Sequence, residues 1–224
     1  LDAGSVDLPT AAYLASAMRN GASLLVGARP GGAGKTAVMC ALLNFLPDAT
    51  TIRATDSQAV LRAGLRETDY GAVCYLAHEI GAGRYYAYIW DSEARVFFRL
   101  AARGLIIASN LHADTLQETR QQLCRENGVD PTHLAAVTLK VFLRMARSGW
   151  HARRWISHVY ESDGERDRLM WTSQAQDGRI TFNRHIESSV VSPTQEQHYA
   201  DLLESLRRED VRHIGKVRRA LAQD

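Results

Sequence analysis

The residues with the most legible chemistry are Gly31-Gly32-Ala33-Gly34-Lys35-Thr36. Glycines let the backbone bend until several N–H groups point at one centre. A helix starting directly behind them adds the positive end of its dipole. Lysine and threonine in the last two positions suit a nucleoside triphosphate with its metal. Lys35 would reach the β- and γ-phosphates, and the Thr36 hydroxyl would ligate Mg²⁺. One position departs from the Gly-x-x-x-x-Gly-Lys-Thr pattern: its first glycine falls at Arg29, and the nearest glycine is Gly27.

Such a site needs a carboxylate opposite the phosphates, to orient or deprotonate water or to hold a metal-bound water. A neighbouring strand that ends in an acid would supply it, and Val73-Cys74-Tyr75-Leu76-Ala77-His78-Glu79 has that form. Asp91, after Tyr85 to Trp90, is a second candidate. Glu79 is preferred, because the run before it is the more buried type and the run before Asp91 continues with helical spacing. Asp56 is a third carboxylate, read equally as a metal or water ligand and as part of a helix cap with Ser57. His78 reads as an exposed or supporting residue. Asn110 and His112 follow an apolar run at 105–108, which places them at the strand edge where such sheets bind ligands; either can sense a γ-phosphate by hydrogen bonding.

The elements that must position these residues follow from periodicity. Ser23 to Val26 is a continuous apolar run that stops at Gly27, a buried strand. Helices are expected over 8–20, 35–45, 57–65, 84–102 and 114–127, the last capped by Asp114 and ended by Gly128. Strands are expected over 51–55, 72–77 and 105–108. Asp130-Pro131 opens a helix read to about Arg147. Three β runs follow, at 154–160, 168–173 and 179–182, with turns at Asp163-Gly164 and Asp177-Gly178. A charged helical tail runs from Pro193 to Asp224. The fold class is therefore α/β: a RecA-like P-loop NTPase core with a mostly parallel sheet (residues 1–150), a small β-rich extension (151–190) and a helical tail (191–224).

Composition sets outer limits. The 224 residues carry 27 Lys+Arg against 25 Asp+Glu, too balanced to argue for nucleic acid. Cys40, Cys74 and Cys124 are odd in number and far apart, which points to reduced thiols in a cytoplasmic protein. No apolar stretch reaches the ~18 to 20 residues of a bilayer span. The start at Leu1 has no signal-peptide pattern and reads as a fragment of a longer protein.

Taken in order, four motifs resemble the type II/type IV secretion ATPases, the family of pilus assembly and retraction motors. They are Leu24 to Thr36, Thr51-Ile52-Arg53-Ala54-Thr55-Asp56 (similar to an acidic box), Ala77-His78-Glu79-Ile80 (similar to a Walker B end) and Asn110-Leu111-His112-Ala113-Asp114-Thr115 (similar to a histidine box). Arg153 to Glu161 resembles the arginine-led strand that follows. The resemblance covers about residues 8–184. It implies ATP and Mg²⁺ as ligands, a hexameric ring, a membrane-associated secretion or pilus platform as partner, and an arginine supplied across the ring. Arg53, Arg62, Arg66, Arg95 and Arg99 are the candidates for that arginine. Departures are His78 at the Walker B glycine and Gly81-Ala82-Gly83 where the family has an arginine after Glu79. They leave open the alternative of a module that binds nucleotide without turnover.

Overall fold

A four-residue run with no polar position can be buried only if both faces of the sheet are covered. In a computed structural model, Leu24–Gly27 (β1) is such a strand, buried at every residue. The structure describes residues 1–70, 72–83, 85–148, 151–176 and 178–221. Arg84 (expected to open a helix), the expected boundary at Trp150, Asp177 (expected in a turn) and Asp224 (the expected end of the tail) lie outside the described residues.

In chain order the elements are α1 (Leu8–Arg19), β1, α2 (Lys35–Leu43), β2 (Thr51–Ala54), α3 (Gln58–Gly64), β3 (Val73–Ile80), β4 (Tyr88–Ile89), α4 (Ser92–Ala102), β5 (Ile106–Leu111) and α5 (Leu116–Arg120). A π-helical stretch, Gln121–Glu126, continues α5. Then come α6 (Pro131–Ala135), β6 (Leu139–Ser148), β7 (His151–Ser162), β8 (Asp167–Gln176), β9 (Arg179–Arg184), α7 (Pro193–Arg208) and α8 (Ile214–Leu221). They build one sheet in the order β2-β3-β5-β1-β6-β7-β8-β9, with β4 paired to β3. The pairs from β2 through β6 are parallel, and those from β6 through β9 antiparallel.

The core has two layers, one on each face of the sheet. Leu24 and Val26 pack with Leu14 and Met18 of α1 and Met39 and Leu43 of α2. Leu25 points the other way, into a cluster with Tyr75, Ile107, Phe97 and Phe98. Opposite faces for successive residues are what the pleat dictates. The tail lies against α1: Ala12, Ala15, Tyr199 and Leu221 share a small cluster.

Two segments differ from expectation. Residues 139–148 are strand β6, not the continuation of the helix opened at Pro131, which ends at Ala135. Leu, Lys, Met, Ala and Arg are good helix formers, but Leu139, Val141 and Leu143 alternate onto one core face. Pairing with both β1 and β7 outweighs intrinsic propensity. Residues 85–91 are likewise not helical. Tyr88 and Ile89 extend alongside β3, and the helix begins only at Ser92. The helix after β5 is capped by Thr115, whose hydroxyl accepts from the Glu118 N–H at 3.1 Å, rather than by Asp114.

One buried carboxylate ties the antiparallel half to the helices. Glu161 on β7 is fully buried. It accepts from Tyr13 Oη at 2.9 Å, from the Ser189 N–H at 2.9 Å and from Ser189 Oγ at 2.8 Å, and it also bonds Ser188 and pairs with Arg168. Burial alone would push this carboxyl up, but the hydrogen bonds from Ser188, Ser189 and Tyr13 outweigh it and hold the group below the ordinary carboxylate value. Its contribution is therefore complete above the unfolded carboxylate range and is lost as pH falls through the lowered folded value. Glu161→Ala leaves the buried Tyr13 hydroxyl without its acceptor and removes the partner of the partly exposed Arg168, at an expected cost of about 1–3 kcal/mol. Urea unfolding at neutral pH measures this, and a change under about 1 kcal/mol would rule out the network as a stabilising tie.

Candidate functional site at the carboxyl edge of the sheet

Because β1, β3 and β5 are parallel, their carboxyl ends open on one edge, where the turns after them converge. The turn after β1 contains Gly32 at φ 76° and Gly34 at φ 97°, left-handed conformations that favour glycine. Gly34 is the N-cap of α2, and no side chain caps that helix. The first N–H groups of α2 thus stay directed at the turn. A Cβ on Gly31 or Gly32 would meet nothing within 4 Å, so the space in front of the turn is open. Gly27 has a different job. A Cβ there would come within 2.5 Å of the Ala113 carbonyl oxygen and 2.7 Å of the Phe142 ring, so it lets the strand end pass its neighbours.

Arg29, at the departing position, turns away from the glycine turn. Its guanidinium pairs with Glu118 at 3.1 Å, and its N–H donates to Asp114 Oδ1 at 2.8 Å. This explains why Asp114 is not the helix cap. The two acids instead anchor the base of the glycine turn to the segment after β5.

Lys35 lies at the start of α2 and is only 9% exposed. Its Nζ donates to the Ala28 carbonyl at 3.1 Å and sits 3.2 Å from Glu79 Oε1. His112 Nε2 approaches the same oxygen at 3.1 Å from its half-exposed position after β5. Glu79 does not come from the strand beside β1: β5 lies between β1 and β3. It reaches the glycine turn because β3 carries a bulge here. Ala77 pairs with Ser109 and Ile80 with Leu111, so three steps on β3 match two on β5. The extra residue breaks the alternation, leaving His78 exposed and Glu79 8% exposed.

Asn110, on the intervening strand β5, is 1% exposed. Its Nδ2 donates to Thr36 Oγ1 at 3.3 Å and to the His78 carbonyl at 3.0 Å, bridging α2 to the bulge. Its Oδ1 has no partner among the described residues. An unpaired buried acceptor beside a threonine hydroxyl fits a donor such as metal-bound water. Among the described residues no group of three or more His, Cys, Asp and Glu side chains could hold a metal. A Mg²⁺ at Thr36 would then take most of its oxygens from phosphate and water, which is its usual habit. The residues fit a phosphate chain with a divalent cation in three respects: open N–H groups, one buried cation and one orphaned acceptor.

The structure thus gathers Gly31 to Thr36, Glu79, Asn110 and His112. Asp56 is not brought to Thr36. It is exposed just past β2, the outermost strand, three strand places from β1 or about 15 Å at the usual spacing. Asp91 is elsewhere, at the start of α4 and paired with Arg95. Two residues at the site were not singled out from sequence. Arg154 of β7 donates from Nε to the Gly32 carbonyl at 2.6 Å, and Tyr88 of β4 donates to Glu79 Oε2 at 3.3 Å. The arginine-led strand pointed to the first of these; local sequence gave no signal for the second.

The fold defines an α/β protein in which a glycine turn between a central parallel strand and a helix faces polar residues from the adjacent strand β5 and from β3 beyond it. That fold is shared with a type IV secretion ATPase: the VirB11 ATPase of Brucella suis, crystallised with sulphate, is similar over 68% of this chain and 52% of that one, with a TM-score of 0.51 and 20% identity. The chain therefore spans about half the length of that protein. The Legionella pneumophila ATPase DotB aligns over 98% of this chain and 57% of its own, with a TM-score of 0.43 and 11% identity. No protein-family model and no curated protein matches the chain. No helix among the described residues is long and apolar enough to cross a membrane.

Proposed function

We propose that this chain is the nucleotide-binding core of a divergent secretion-type ATPase, which binds ATP with Mg²⁺ and hydrolyses it. One observation carries the reading: Lys35, Glu79 and His112 meet within 3.2 Å beside an uncapped glycine turn. In this reading the N–H groups of residues 31–36 and the Lys35 ammonium bind the phosphates. The Thr36 hydroxyl is the residue that would hold Mg²⁺, whose charge would help neutralise the phosphate oxygens. Glu79 orients and deprotonates the attacking water, and His112 donates toward the γ-phosphate.

By the family resemblance, copies of the chain form a hexameric ring with an arginine supplied across the interface, and the ring works in the cytoplasm on a membrane-associated secretion or pilus platform. The core at 1–150, the β-rich extension and the tail from 191 would then act as one subunit, with no nucleic acid involved.

A second reading, nucleotide binding without turnover, has one observation in its favour: Lys35 and His112 already engage the carboxylate that would serve as base. Phosphate release separates the two. The expected result is release from ATP that depends on magnesium and stops with EDTA, together with binding of a fluorescent ATP analogue. Tight analogue binding with no release would select the second reading, and no binding at all would end both.

A further inference from the structure

β4 is only two residues long, yet both of its flanks are strained. Ala87 has φ 53°, and Asp91 has φ 50° with ψ −116°, conformations that non-glycine residues adopt at a cost. The segment is held at several points. The Ala87 carbonyl accepts from the His78 N–H at 2.8 Å, the Ile89 carbonyl accepts from the Gly81 N–H at 3.1 Å, and the Asp91 N–H donates to the buried Asn127 Oδ1 at 2.6 Å. Strained conformations of this kind persist only where the surrounding contacts hold them, as they do here.

What lies between them is Tyr88. It pairs in register with Glu79, and its hydroxyl reaches Glu79 Oε2 at 3.3 Å. Its ring is wedged edge-on against His78, with centroids 5.6 Å apart, and tilted against Tyr85 at 5.0 Å. Burial and the adjacent Glu79 charge push the Tyr88 hydroxyl above its ordinary value, so it stays protonated and acts toward the carboxylate as a donor. Lys35 Nζ and His112 Nε2 lie 3.2 and 3.1 Å from Oε1 as charge neighbours, whereas the Tyr88 hydroxyl donates a hydrogen bond to Oε2.

We propose that Tyr88 is a positioning residue for the reaction: the strained strap 87–91 holds its hydroxyl on Glu79 Oε2, fixing the carboxylate so that Oε1 faces the glycine turn. This rests on the hydrolytic reading of Glu79. It makes Glu79 a three-point carboxylate, steered from α2, from the segment after β5 and from β4.

The test is steady-state ATP hydrolysis by the full chain with Tyr88→Phe and, separately, Ala87→Gly, beside wild type and Glu79→Gln. Tyr88→Phe removes one hydroxyl from a partly exposed ring. It is expected to lower kcat about tenfold, the size of one lost hydrogen bond to a charged group, with KM and ATP-analogue affinity unchanged. Ala87→Gly relaxes the left-handed position. It should lower kcat in the same way while leaving thermal stability equal or higher. Full turnover in both variants, with Glu79→Gln inactive, overturns this proposal alone. A loss of analogue affinity or melting temperature in step with kcat also overturns it, since that marks a structural role. No phosphate release from wild type would sink the hydrolytic reading and this proposal with it.

Discussion

Lys35→Ala is expected to lower affinity for a fluorescent ATP analogue by about a hundredfold while leaving the chain folded. The ammonium is the one buried cation at the glycine turn, and its hydrogen bonds to anionic oxygens are of the charge-assisted kind, worth about 1.5–3 kcal/mol. Its present contacts are the Ala28 carbonyl and Glu79. Removing it leaves Glu79 with the half-exposed His112 and Tyr88 as neighbours, so some loss of stability accompanies the loss of binding. Stability and affinity must therefore be measured together, by urea unfolding and by analogue titration. Unchanged affinity in a folded Lys35→Ala chain would remove the phosphate cradle from the argument, and with it the proposed function.

Glu79→Gln is expected to separate binding from chemistry. The amide keeps the shape and can still accept from Lys35, but it cannot take a proton from water. Turnover should fall by about 10²–10⁴-fold, the usual contribution of a positioned general base. Analogue affinity should hold or improve slightly, because Lys35 is released from a charged partner 3.2 Å away. A variant that still hydrolyses ATP at the wild-type rate would disqualify Glu79 and reopen the choice among carboxylates. Neither other candidate is as well placed: Asp56 lies past the outermost strand, and the Asp91 carboxylate is paired with Arg95.

Signals contained within a few consecutive residues were legible in the sequence. Leu24 to Thr36 sets strand, glycine turn and helix within about a dozen positions, and each part is stable only in that arrangement: apolar run, left-handed glycines, then helix formers. Alternation or apolar runs likewise marked β5, β7 and β8, and Pro193 marked the start of α7. The tertiary structure decided what depends on distant partners. Residues 139–148 are helix formers by composition and became a strand because β1 and β7 offered hydrogen bonds on both sides. Glu79 meets Lys35 across the intervening β5 because a bulge on β3 turns the carboxylate, and both strand order and bulge depend on tertiary pairing. Tyr88 reaches that carboxylate only through a strained pairing that no local propensity favours, and Arg29 is drawn off the glycine turn by Glu118, 89 positions away, through a salt bridge at 3.1 Å. Local sequence specifies the shape of the phosphate turn, because bond rotations and helix ends are local properties. Which side chains face it is set by how separate strands are ordered, a choice made by burial and pairing over the whole sheet.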